Sequence, residues 1–211
     1  AFGIGIISRF PLVQMKCHNV ESYAEEEAIP DMRPIVEVCA KIGNFDLYIY
    51  ANHWKSKSGK TDGEKWRILQ EKLLCESISK TKKMSDFIIC LGDFNKDIEE
   101  FNFGKMNLEC SIYSEATESY KPYILSSPWE DLKKEAEWGE NLLYNYIGTY
   151  FYNEKWEKID SMFLSPNIYF SSFYVNIEDA WYDDKPLRFN LFTGEGYSDH
   201  LPITCKITLK K

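Results

Sequence analysis

An α/β domain is the fold class the sequence predicts, and three observations predict it. A hairpin signal, Gly43-Asn44, separates two apolar runs, Ile35 to Ile42 and Phe45 to Ala51. A helical period then covers about Glu64 to Lys82, with Trp66, Leu69, Leu73, Leu74 and Ile78 on one stripe. Behind it, Asp86 to Leu91 is a nearly unbroken apolar run, as in a strand covered on both faces. Strand, helix and strand in that order mark a layered α/β architecture.

Taken from the start, Ile4 to Ser8 reads as a short buried strand stopped by Pro11. The stretch from there to Asp31, with Glu25, Glu26 and Glu27, reads as an exposed excursion whose acidity serves solvation. The hairpin delivers Asn52 and His53 at a strand's end. Thr61 or Asp62 caps the helix, and lysines gather at its close. Between Lys96 and Asn145 the pattern is poor: Pro128 to Trp138 makes a short helix, and the rest is loop inserted at an edge. Gly148 to Tyr152 and Ile159 to Leu164 are strands around Asn153-Glu154, Tyr169 to Ile177 alternates, and Ile203 to Leu209 is the last strand.

A chain of 211 residues that is 44% apolar builds one core, so a single domain over 1–211 is expected. Its net charge of −8 argues against a large basic footprint for nucleic acid, since Lys and Arg contacts to phosphate dominate that affinity. A nuclease is not excluded, because Lys55, Lys57 and Lys60 beside His53 can hold a phosphate locally. Of the six cysteines, Cys39, Cys90 and Cys205 lie inside apolar runs where a thiol serves as a small core residue, and no CxxC pair supports a zinc ribbon. No apolar run approaches the ~18 residues of a membrane span. The start at Ala1, directly in a strand-like segment, is what a chain lacking its amino-terminal part would show.

Three polar clusters stand where apolar runs end: NHWKS at 52–56, GDFN at 92–95 and YSDHLP at 197–202. They supply two histidines, two aspartates and two asparagines. Phosphodiester hydrolysis needs a hydroxide equivalent, neutralised phosphoryl oxygens and help for the leaving alkoxide, which a carboxylate-bound divalent cation and an imidazole provide together. Asp93 follows a buried strand that fixes its backbone, Asn95 points the same way two residues on, and Gly92 permits close approach of the chain. Asp199 can ligate a hard cation while His200 faces the scissile phosphate. Asp160, in a strand that should be interior, needs a hydrogen-bond partner, and an imidazole is the natural one. Taken singly, each cluster is equally well a polar turn. His18 has no such context and reads as incidental.

NHWKS, LGDFN, WEKIDSMFLSP and YSDHLP, in that order, resemble the motif series of the endonuclease/exonuclease/phosphatase superfamily, over about Ile4 to Thr208. The resemblance implies a four-layer α-β-β-α sandwich of two mainly antiparallel sheets and a metal-dependent phosphodiester hydrolase, nuclease-like, acting on nucleic acid. It implies His53 as general acid or phosphate contact, Asp93 as the group that activates or orients the nucleophile, and Asn95 as phosphate or metal contact. Asp199 would help hold the cation with Asp93 and Asn95, His200 would contact the scissile phosphate, and Asp160 would set its tautomer. The implied cofactor is Mg2+, or Mn2+ or Ca2+ in its place. An Asn and a metal-binding Glu that the superfamily carries on earlier strands have no counterpart here, so the chain is expected to be an N-terminally truncated domain. A lipid or inositol-phosphate phosphoesterase and a non-catalytic binding domain are the competing readings.

Overall fold

The computed structural model describes residues 3–20, 29–57, 63–138, 148–177 and 185–210. Its strands are β1 (Leu12–His18), β2 (Ile35–Ile42), β3 (Phe45–His53), β4 (Phe87–Asp93), β5 (Asn107–Ser114), β6 (Ser119–Ser126), β7 (Tyr150–Tyr152), β8 (Lys155–Glu157), β9 (Asp160–Leu164), β10 (Ile168–Val175) and β11 (Ile203–Leu209). Helix α1 spans Gly63–Thr81 and α2 spans Trp129–Trp138. The expected α/β class holds. Seven strands form one sheet in the order β1-β2-β3-β4-β9-β6-β5, and β10-β11 and β7-β8 are separate two-stranded ribbons.

The hairpin β2–β3 turns at Gly43-Asn44 with paired residues Ile42 and Phe45, as its turn residues predict. From β3 the chain crosses through α1 and returns as β4, parallel to β3; every other pairing in the large sheet is antiparallel. Strand β4 buries Phe87, Ile88, Ile89 and Cys90 in succession, so it is covered on both faces. Helix α1 covers one side. Phe173 and Val175 of β10 belong to the same core, and Trp129 at the start of α2 meets Phe173 edge-on at 5.2 Å.

Two elements correct the sequence reading. Ile4 to Ser8 forms no strand: Ile7 is fully exposed, and this stretch pairs with no strand among the described residues. The first strand is β1 instead, hidden in sequence by a bulge between Val13 and Lys16, with Gln14 at φ 56, which breaks its alternation. The stretch read as loop after Lys96 contains the hairpin β5–β6, whose inner face buries Leu108, Cys110, Ile112, Tyr123 and Leu125. Pro122 argues against a strand there, but β6 touches β9 only at Ser126, so its missing N–H faces no partner. The turn Asn153-Glu154, both at positive φ, joins β7 to β8 rather than to β9. The expected helix cap at Thr61 or Asp62, the acidic residues Glu25 to Glu27, and Lys60 lie outside the described residues.

His18, set apart from the polar clusters, serves the fold. Its Nε2 meets Glu37 Oε2 at 2.8 Å and its Nδ1 faces Ser77 Oγ of α1 at 3.1 Å, while Lys82 Nζ donates to Glu37 Oε1 at 2.5 Å. Burial opposes ionisation of Glu37, but the hydrogen bonds from His18 and Lys82 outweigh it and hold the carboxyl at about 2. This folded-state value lies below the ordinary one, so the stability it contributes is present above about pH 4.5 and is lost as pH falls toward 2. Glu37→Gln, which leaves the Lys82 ammonium buried without its counter-charge, is expected to cost about 3 kcal/mol, read as a lower urea midpoint at pH 7. The same variant should lose less stability than the parent between pH 4.5 and the acid range.

Candidate functional site

Strand register builds the site. In the parallel pair β3–β4, His53 stands opposite Asp93, and in the antiparallel pair β4–β9, Asp93 stands opposite Asp160. Three chemistry-bearing residues thus lie in one row across three adjacent strands. Their side chains follow: His53 Nε2 is 3.5 Å from Asp93 Oδ2. The row is clamped on by backbone bonds just beyond it, Trp54 N–H to Asp93 O at 2.8 Å and Phe94 N–H to Ile159 O at 2.9 Å.

His200 arrives from far along the chain. Its backbone bridges Tyr150 of β7, and Leu201 N–H donates to Thr149 O at 2.7 Å, which seats the YSDHLP segment beside β9. His200 Nδ1 then lies 2.7 Å from Asp160 Oδ2, and the Thr149 hydroxyl donates to the same oxygen at 2.6 Å. Asp160 therefore has the imidazole partner that its interior position requires. The Tyr150 ring packs on the His200 ring at 4.7 Å between centroids. Thr149 and Tyr150 were not legible as site residues; both sit in an aromatic hairpin sequence that reads as ordinary packing.

Asn95 is nearly buried at positive φ, its backbone N–H and side-chain amide donating to the two oxygens of Asp93 at 2.8 and 3.1 Å. The amide also donates to Trp54 O at 3.0 Å. Asn52, by contrast, is a brace: it donates to Tyr50 O and accepts from Trp54 Nε1, beneath the row rather than on it. Lys55 is held through its backbone by Gln70 and Arg67 of α1. The Lys57 ammonium faces Glu157 at 3.2 Å and Glu100 at 3.5 Å, so two carboxylates already engage it. His53, Asp93, Asn95, Asp199 and His200 line one cavity of about 510 Å³, which Tyr150 and Arg188 help enclose.

Neither the protein-family models nor the curated proteins include a match to this chain. Solved structures do match. D. rerio TDP2 complexed with single strand DNA product aligns at a TM-score of 0.56 with 18% identity, covering 95% of this chain and 69% of that one. A mannosyl-6-phosphatase of Bacteroides thetaiotaomicron VPI-5482 gives 0.53 with 16% identity, over 95% and 67%. An endonuclease/exonuclease/phosphatase protein from Beutenbergia cavernae DSM 12333 gives 0.50 with 16% identity, over 96% of this chain and 46% of that one. This chain has the endonuclease/exonuclease/phosphatase fold.

Electrostatics within this endonuclease/exonuclease/phosphatase-fold site divide its ionisable groups. Burial and the neighbouring charge of Asp160 push the Asp93 carboxyl up to about 7. Burial works against protonation of His200, but the hydrogen bond and charge of Asp160, with the charges of Asp93 and Asp199, carry it up to about 9. His53 is moved down, by burial first and then by the Arg33 and His200 charges. A protonated imidazole and a neutral one therefore stand on either side of a carboxyl poised near neutrality.

Asp93, Asp160 and His200 are a group of metal-ligand-type side chains whose ligand atoms lie within 4.8 Å of one another. Within it, His200 Nδ1 and Asp160 Oδ2 satisfy each other, and each Asp93 oxygen accepts one hydrogen bond from Asn95, which leaves a lone pair on each for a further partner. Asp199 is outside that tight group: it stands at the rim, half-exposed, with an oxygen 3.9 Å from Arg188 Nε. A buried carboxyl raised by a second carboxyl is relieved by a cation, and oxygen donors suit a hard divalent one. The donor set fits such an ion.

Proposed function

We propose that this chain is a divalent-cation-dependent phosphodiester hydrolase, nuclease-like in chemistry, with the single domain 1–211 contributing His53, Asp93, Asn95, Asp160, Asp199 and His200. The observation that carries the reading is the cross-strand row His53–Asp93–Asp160 with His200 hydrogen-bonded to its end. Asp93 and Asp199, with the Asn95 amide oxygen, would hold Mg2+, or Mn2+ or Ca2+. Once bound, the cation supplies charge neutralisation at the phosphoryl group and acidifies water.

Every other part belongs to side chains of the chain. Asp93, aimed by the Asn95 N–H groups, orients the attacking water and takes up its proton. His200, kept protonated by Asp160, donates from Nε2 to a phosphoryl oxygen and stabilises the charge that grows there. Thr149 fixes the Asp160 carboxylate, and thereby the imidazole orientation. His53, on the other side of Asp93, contacts the phosphate or protonates the leaving alkoxide.

Nucleic acid is the favoured substrate, supported by the single-strand DNA product held by a protein of the same fold. A sugar phosphate has support of the same kind from the mannosyl-6-phosphatase. The test is side-by-side turnover of single-stranded oligonucleotide, plasmid DNA, sphingomyelin, a phosphoinositide and a hexose phosphate, with Mg2+ and with EDTA. It is run on the chain and on a version extended upstream to include the first metal-ligand strand that the resemblance implies. Cleavage of oligonucleotide that EDTA abolishes and Mg2+ restores is the expected result. Turnover of none of the five by either version, or turnover indifferent to EDTA, removes the reading; preference for the lipids or the hexose phosphate changes the substrate and keeps the chemistry.

A further inference from the structure

Remote from the catalytic row, Cys75 on α1 faces Cys110 on β5, their sulfurs 2.6 Å apart. Two thiols in simple contact stand well outside that distance, and an S–S bond of about 2.05 Å lies only slightly inside it. The two come from elements packed directly together, helix on edge strand, so neither backbone needs to travel for the sulfurs to meet. Cys110 is buried in the core while Cys75 is partly exposed and also approaches Glu109 O at 3.6 Å. The other four, Cys17, Cys39, Cys90 and Cys205, sit on β1, β2, β4 and β11 without a sulfur contact among the described residues.

We propose that Cys75 and Cys110 are a disulfide site that staples α1 to β5 when the protein meets a low-molecular-weight disulfide such as oxidised glutathione. Exposure sets the order of events. The Cys75 thiolate attacks one glutathione sulfur, expelling a glutathione thiolate and leaving a mixed disulfide. Cys110 loses its proton, attacks Cys75 Sγ and expels the second glutathione. Two protein thiols and one oxidised glutathione become one protein disulfide and two reduced glutathiones, the electron pair and both protons ending on glutathione. Closeness to Cys110, then burial, pushes the Cys75 thiol far above the ordinary range, so the exchange accelerates at alkaline pH.

The staple matters to the site because α1 also carries Arg67 and Gln70, which hold the backbone of Lys55 just beyond His53. Cross-linking the helix lowers its freedom to detach and release that loop.

The purified chain is equilibrated across a glutathione redox series, trapped with an alkylating agent, denatured, and read by intact mass and peptide mapping. Two of the six thiols should escape alkylation at the oxidising end, in one cross-linked peptide pair joining Cys75 to Cys110. The oxidised form should melt roughly 10 °C higher than the reduced form. Cys75→Ser, at the partly exposed position, should abolish both effects, and Cys17→Ser should leave them unchanged. Alkylation of all six thiols at the oxidising end, or a cross-link joining other cysteines, overturns the proposal.

Discussion

His200→Ala is expected to slow the proposed metal-dependent cleavage by about 10³-fold while leaving the melting temperature within a few degrees of the parent. The imidazole is only partly buried and its hydrogen bond goes to an aspartate that keeps a second donor, Thr149, so the fold loses little. The reaction, in contrast, loses the cation that Asp160 keeps protonated against the developing phosphoryl charge. Asp160→Asn is expected to retain the imidazole but not its charge, with a loss of about 10²-fold. Steady-state kinetics on the oligonucleotide substrate, paired with a thermal melt of each variant, checks both. An unchanged rate in His200→Ala would remove the histidine from the chemistry altogether.

The largest stability effect is expected at Gly92. Its φ of 129 is open to glycine, and a Cβ there would stand 2.1 Å from the carbonyl oxygen of Asn52 on the neighbouring strand. Backbone, not a flexible side chain, blocks the space, so relief requires β3 and β4 to part where His53 faces Asp93. Gly92→Ala is therefore expected to cost about 4 kcal/mol, combining conformational strain with overpacking. Gly43→Ala is the comparison, since its φ is 60 and nothing stands within 4 Å of its Cβ; about 1 kcal/mol is expected there. Urea denaturation separates the two. Equal midpoints for both variants would mean that the strands tolerate the added carbon and that the row is looser than its register implies.

How much of this was legible in sequence follows from what each signal depends on. Strand β11 was readable to the residue because Ile203, Cys205, Ile207 and Leu209 alternate without interruption. Helix α1 was readable although Arg67 and Gln70 lie on its buried stripe, because the apolar residues around them keep the period. Strand β1 was not, since its bulge shifts the face of every residue after Val13. The hairpin β5–β6 carried its alternation in Leu108, Cys110 and Ile112, and Pro122 obscured the partner strand. At the site, Asp93 and Asn95 announced themselves as polar residues ending an apolar run, and His200 as one standing just before the last strand. Thr149 had no such mark: its role exists only because the residue just before β7 meets Asp160 at the start of β9, a contact between segments whose sequences do not refer to each other.

A site laid out along one crosswise line of a sheet has its dimensions set by the peptide lattice. Neighbouring strands stand about 4.8 Å apart, so the span from His53 to Asp160 is about 10 Å at the backbone, whatever the side chains do. That ruler limits what can lie across the row, and mutation cannot stretch it without unzipping the core. Evolution toward a new substrate must therefore act on the borders of the cavity, the Tyr150–Tyr152 ribbon and the segment bearing Arg188, while the central line stays constant.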